Sequence, residues 1–213
     1  WKAASALAES NDPAARQALL TAAQTGTATA QDAALSALSA LRGPDVEATL
    51  RQLATSGPPR AAATALGQLA ALQGKDAAPV LITAFRDGGP QVRSAALRSL
   101  AELKDPAHRE VFLEAARSGN YSTVHTAIQA LAELGGPEAK TALLELATNG
   151  SPAARNPALH QLGKIGGPEA RERLLKSLDN DQERHTAAYT LANLGDPATL
   201  GALQGVLRDS AAK

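Results

Sequence analysis

"LGGPEAKTAL" (134–143) runs from a leucine through two glycines and a proline into a new apolar run, and variants of it recur throughout the chain. The variants are "LRGPDVEATL" (41–50), "LQGKDAAPVL" (72–81), "LKDPAHREVF" (103–112), "IGGPEARERL" (165–174) and "LGDPATLGAL" (194–203). Their anchors, Pro44, Lys75, Pro106, Pro137 and Pro168, lie 31 residues apart, Pro197 follows after 29, and Pro13 extends the series backwards by 31. Self-similarity at a fixed period of this order is the sequence mark of a stacked repeat architecture.

The punctuation has a mechanical reading. Gly43, Gly74, Gly135, Gly166 and Gly195 are expected to take the left-handed conformation that ends a helix. A proline just beyond suits the first position of the next helix, where its missing N–H costs nothing. Between anchors the apolar residues recur at helical spacing. Leu35, Leu38 and Leu41 are followed in register by Leu66, Leu69 and Leu72, Leu97, Leu100 and Leu103, then Ile128, Leu131 and Leu134, and Leu159, Leu162 and Ile165. A small residue follows the middle leucine each time: Ser39, Ala70, Ala101, Ala132, Gly163 and Ala192. Small side chains there would let neighbouring helices approach closely.

Each repeat thus reads as helix A, a turn, helix B and a tight turn. Helix A is expected over 44–56, 76–87, 106–118, 137–149 and 168–178, and helix B over 59–73, 90–104, 122–134, 152–165 and 182–194. Helices this short are marginal alone and must be held by stacking. Pro157 falls inside one helix B, and a delayed start capped by Asn156 would accommodate it.

The pattern resembles the HEAT-like repeats first recognised in phycobilisome lyases. The resemblance rests on the "LGGPEA" and "LGDPAT" turns, the paired leucines of helix A, and the helix B pattern best seen in "PQVRSAALRSLAEL" (90–103). It implies an all-α fold, an α/α superhelical solenoid of two-helix repeats, forming one domain over 1–213. The divisions are a half repeat 1–12, full repeats 13–43, 44–74, 75–105, 106–136, 137–167 and 168–196, and a half repeat 197–213. It also implies that the arginine of "VR", here Arg93, Arg155 and Arg184, bonds across a turn, while Gln31, Ala62 and Val124 fill that column elsewhere.

Composition narrows the functional classes. Lys+Arg and Asp+Glu both number 21, so the net charge is zero, which argues against nucleic acid as partner. Without cysteine there is no disulfide, thiolate metal site or cysteine nucleophile, and the composition fits a periplasmic or secreted setting. No apolar run is long enough to insert in a membrane. A start at Trp1 rather than an initiator is expected of a processed or trimmed piece.

Catalytic signatures such as G-x-S-x-G, the P-loop, G-x-G-x-x-G and H-E-x-x-H do not occur. Deoxyhypusine hydroxylases, iron enzymes on the same repeats, carry repeated His-Glu pairs. Here His108, His125, His160 and His185 are followed by Arg109, Thr126, Gln161 and Thr186. No catalytic residue, metal ligand set or cofactor is therefore expected.

Register singles out one face. Two columns four residues apart on helix B read Asp32, Ala63, Ser94, His125, Asn156, His185 and Ser36, Gly67, Arg98, Gln129, His160, Tyr189. Residues at i and i+4 share a helical face, and the resemblance implies that B helices line a concave side. Histidine, amide and tyrosine side chains concentrate in the last repeats. Arg98, His125, Gln129, Asn156, His160, His185 and Tyr189 are the candidate contacts for a protein or peptide, on a non-enzymatic scaffold. The alternatives are a lyase-like, chromophore- or small-molecule-handling protein, or a structural module that self-associates head to tail through its half-repeat ends.

Overall fold

The computed structural model describes residues 2–10, 12–118, 120–195, 199 and 201–205. Every regular element among them is helical, and the chain divides into two compact units, Trp1–Leu103 and Lys104–Lys213.

The first unit contains α1 (Lys2–Glu9), α2 (Pro13–Thr25), α3 (Ala28–Leu38), α4 (Pro44–Ser56), α5 (Pro59–Gln73), α6 (Ala78–Asp87) and α7 (Pro90–Glu102). The second contains α8 (Arg109–Arg117), α9 (Tyr121–Leu134), α10 (Gly136–Asn149), α11 (Pro152–Ile165), α12 (Pro168–Ser177) and α13 (Arg184–Leu194). Within each unit a helix A packs on its own helix B, and B packs on the B of the next repeat, as α4 on α5 and α5 on α7, or α10 on α11 and α11 on α13. The leading half repeat is helical as α1, which packs on α2 and α3. Most of the expected trailing half repeat lies outside the described residues. No described helix is long and apolar enough to cross a membrane.

The leucine columns make the core. The first two of each triplet, from Leu35 and Leu38 to Leu159 and Leu162, are completely buried, each contributing about 1.5–3 kcal/mol of apolar burial. The third lies where helix B runs out, and Ile165 is exposed.

Three helix starts differ from expectation by two residues or more. Residues 76–87 and 106–118 do not begin as α-helix; Gly74–Ala77 and Pro106–His108 form 3₁₀ turns first. In the first case Pro79 brings no N–H for the Lys75 carbonyl, which instead accepts from Ala78 N in the tighter i+3 pattern. In the second, the Asp105 side chain accepts from Ala107 N and its carbonyl from His108 N, tightening the turn. The last helix B starts at Arg184 rather than 182, because Asn180 organises a preceding turn by accepting from Gln182 N.

All five glycines expected to end a helix have positive φ, but only Gly195, at φ 62° and ψ 20°, occupies the left-handed helical basin. Gly135 and Gly166 sit at φ 67° and 72° with ψ near −160°, a region open only to glycine. Lys104 stands in the same column and takes φ 49°.

The "VR" arginines do bond across the turn. Arg93 Nε donates to the Gly88 carbonyl at 2.7 Å, Arg155 Nε to Gly150 at 2.9 Å and Arg184 Nε to Leu178 at 2.7 Å. Each carbonyl sits at the C-terminal end of the preceding helix A, where orphan acceptors need a donor. Gln31 does the same from its column, donating to the Ala23 and Gln24 carbonyls. The second unit adds a buried ion pair: Arg173 meets Glu183 at 2.8 Å, and Ser177 Oγ donates to the same carboxylate at 2.9 Å. Arg173 also donates to the Ala147 carbonyl, tying α10, α12 and the start of α13 together.

Candidate functional site

Three B helices of the second unit, α9, α11 and α13, present an open cleft of about 390 Å³. Repeat register explains the gathering. His125 on α9, Asn156 and His160 on α11, and His185 and Tyr189 on α13 occupy equivalent turns, so stacking the helices side by side puts them on one surface. All five line the cleft.

Two of the candidates lie elsewhere. Gln129 is one turn further along α9, outside the lining, and donates to Glu133 at 2.9 Å. Arg98 belongs to the first unit, where its Nε returns to the Ser94 carbonyl at 3.3 Å.

Four further residues complete the lining: Tyr121, Pro157, Gln161 and Thr186. Tyr121 escaped the register argument because the helix was expected to begin at Ser122, which left Tyr121 in the preceding turn. It is the first residue of α9, and its spacing of four from His125 was the available signal. Tyr121 is 71% exposed and Tyr189 58%, so two amphipathic residues on one cleft are left open to solvent.

Pro157 does not delay the helix: α11 is continuous from Pro152 to Ile165. Arg155 N already bonds the Ser151 carbonyl, so the first turn is closed before the proline is reached. The lack of an N–H at Pro157 withdraws the normal donor from the Ala153 carbonyl. Asn156 donates through Nδ2 to the Gln182 carbonyl at 3.3 Å, fixing the side chain between α11 and the turn before α13. Its Oδ1 is left without a partner.

The lining carries three imidazoles and no carboxylate. His160 is pushed below the ordinary histidine value, first by burial, then by the Lys164 and His125 charges. Burial removes water that would stabilise imidazolium, and neighbouring positive charge raises its cost further. Among the described residues no three His, Asp or Glu side chains converge as a metal ligand set. What the cleft offers is aromatic area, amide groups and imidazoles able to donate or accept.

The chain matches HEAT repeats over residues 48–132 and 109–184, and the PBS lyase HEAT-like repeat over 183–209. No curated protein sequence matches it. A solved chain from the complex of CpcE and CpcF of phycocyanin lyase, from a Nostoc species, is 26% identical with a TM-score of 0.50, covering 68% of this chain and 96% of that one. A chain of the AP-3 complex is 16% identical with a TM-score of 0.62, covering 97% of this chain and 42% of its own. Human deoxyhypusine hydroxylase is 21% identical with a TM-score of 0.46, at 92% coverage of both chains. With more than half of its length matched by these repeats, the chain belongs to the HEAT repeat family.

Proposed function

We propose that the protein is a non-enzymatic binding scaffold that takes a polypeptide segment in the cleft of α9, α11 and α13. The observation that carries this reading is the pair of solvent-exposed tyrosines on a cleft otherwise lined by imidazole and amide groups. Tyrosine supplies rigid amphipathic contact area and is enriched where proteins meet. His160, whose imidazolium is disfavoured first by burial, offers its ring nitrogens to a peptide group. The similarity to a chain solved as part of the CpcE–CpcF complex supports a protein partner.

A second reading, small-molecule or chromophore handling, is favoured by the cleft's size, since about 300–1,000 Å³ is usual for small-ligand sites. It draws further support from the likeness to a phycocyanin lyase chain.

The test is selection from a displayed random-peptide library, followed by fluorescence anisotropy of the winners on wild type and on a His160→Ala/Tyr189→Ala double variant. Tenfold or greater weakening in the double variant, with unchanged circular dichroism and Tm, is expected. Equal binding by both proteins removes the scaffold reading from this cleft. A small molecule that copurifies with wild type and is lost from the double variant shifts the assignment to the second reading.

A further inference from the structure

The arginine column holds a gap. Arg93 and Arg155 each serve the carbonyl five residues upstream, at Gly88 and Gly150. Ala62 stands in that column, five residues after Gly57, with a methyl group in place of a guanidinium. An open cavity of about 320 Å³ lies there in the first unit, lined by Ala54, Gly57, Pro59, Ala62, Asp87 and Val92 among others. Sequence register and cavity location are separate observations, and they coincide.

The lining also has the right chemistry. Arg155 combines the Gly150 carbonyl with the Glu183 carboxylate, 3.8 Å away. Arg184 combines the Leu178 carbonyl with the Asp181 carboxylate at 2.8 Å. Twice, then, a guanidinium in this column is held by a helix-end carbonyl and a carboxylate. Gly57, the residue matching Gly88 and Gly150, and the carboxylate-bearing Asp87 both line the Ala62 cavity. A planar fork of donors serves two acceptors at once, which an ammonium point charge does less well.

We propose that this cavity is a docking site for an arginine side chain of a partner polypeptide, which enters where Ala62 leaves the clasp unfilled. The site is distinct from the α9–α11–α13 cleft and stands or falls independently of the function proposed for that cleft.

The experiment uses the full chain and three end-blocked tripeptides, Gly-Arg-Gly, Gly-Lys-Gly and Gly-citrulline-Gly, titrated while backbone amide NMR shifts are followed. The arginine peptide is expected to move the amides of Gly57, Ala62, Asp87 and Gly88, with the lysine and citrulline peptides at least tenfold weaker. Ala62→Arg fills the site from within, and is expected to raise Tm and abolish the response. Asp87→Asn, an exposed substitution that leaves the core intact, is expected to weaken the arginine peptide about fivefold, and serves alone if Ala62→Arg does not fold. Citrulline binding as well as arginine, shifts away from these residues, or full binding by the folded Ala62→Arg or Asp87→Asn protein overturns the proposal.

Discussion

Gly163 illustrates how much one hydrogen atom decides. It is buried on α11, and a Cβ built there would overlap Cγ2 of Thr190 on α13. Gly163→Ala gains about 1 kcal/mol of helix propensity but overpacks the contact at about 1–3 kcal/mol. The substitution is therefore expected to destabilise the protein, and to become stabilising in a Thr190→Ala background. Urea midpoints over the four proteins of that cycle check it, and an unchanged sign means the two helices are not in the contact described. His160 gives a second test at this scale. Its folded value is depressed, so at low pH the folded state resists a proton that the unfolded chain accepts near about 6.5. Stability is expected to fall as pH drops from about 6.5 toward the folded value, and His160→Gln should flatten that slope. Chemical denaturation between pH 7.5 and 5, with the imidazole followed by NMR, measures both.

The most legible elements are those punctuated by a proline at their start, α2, α4, α5, α7, α11 and α12. Pro44–Ser56, Pro59–Gln73 and Pro152–Ile165 have the boundaries that the repeat predicts. What was illegible has a local cause. Pro79 produced a 3₁₀ entry because a missing N–H two residues into the helix changes who bonds Lys75, and periodicity says nothing about that. Pro157 was misread in the opposite direction, since a closed first turn tolerates a proline that an isolated helix would not. The arginine clasps are a property of element ends, and Arg155→Ala is expected to cost about 1–2 kcal/mol by leaving the Gly150 carbonyl without its charged donor. Arg155→Lys should recover little of this, because a point charge cannot reproduce the fork. Thermal unfolding of the three proteins reads the ranking.

At the scale of the whole molecule, the repeat period disclosed the fold class and also most of the cleft. His125, Asn156, His160, His185 and Tyr189 converge because register alone places them on corresponding turns. Tyr121 was hidden by one residue of helix boundary, and Gln161 by standing one position outside the two columns. The gap at Ala62 was visible as a column difference but acquired volume only when the neighbouring helices were in place. Within each unit, contacts run between adjacent helices, so cooperativity must be passed along the stack.

Glu183 interrupts that relay. Its carboxylate faces Arg173, Ser177 and Asn180 while 5% exposed, and Arg173 reaches back to α10. Removing a buried partner leaves the other charge uncompensated, at about 3–5 kcal/mol. α12 and α13 should consequently open as a single foldon, with one shared hydrogen-exchange rate rather than a gradient toward the chain end. In Glu183→Gln that shared protection is expected to drop while the amides of α8 keep theirs. A salt link in the last turns thus sets the grain of the molecule's breathing.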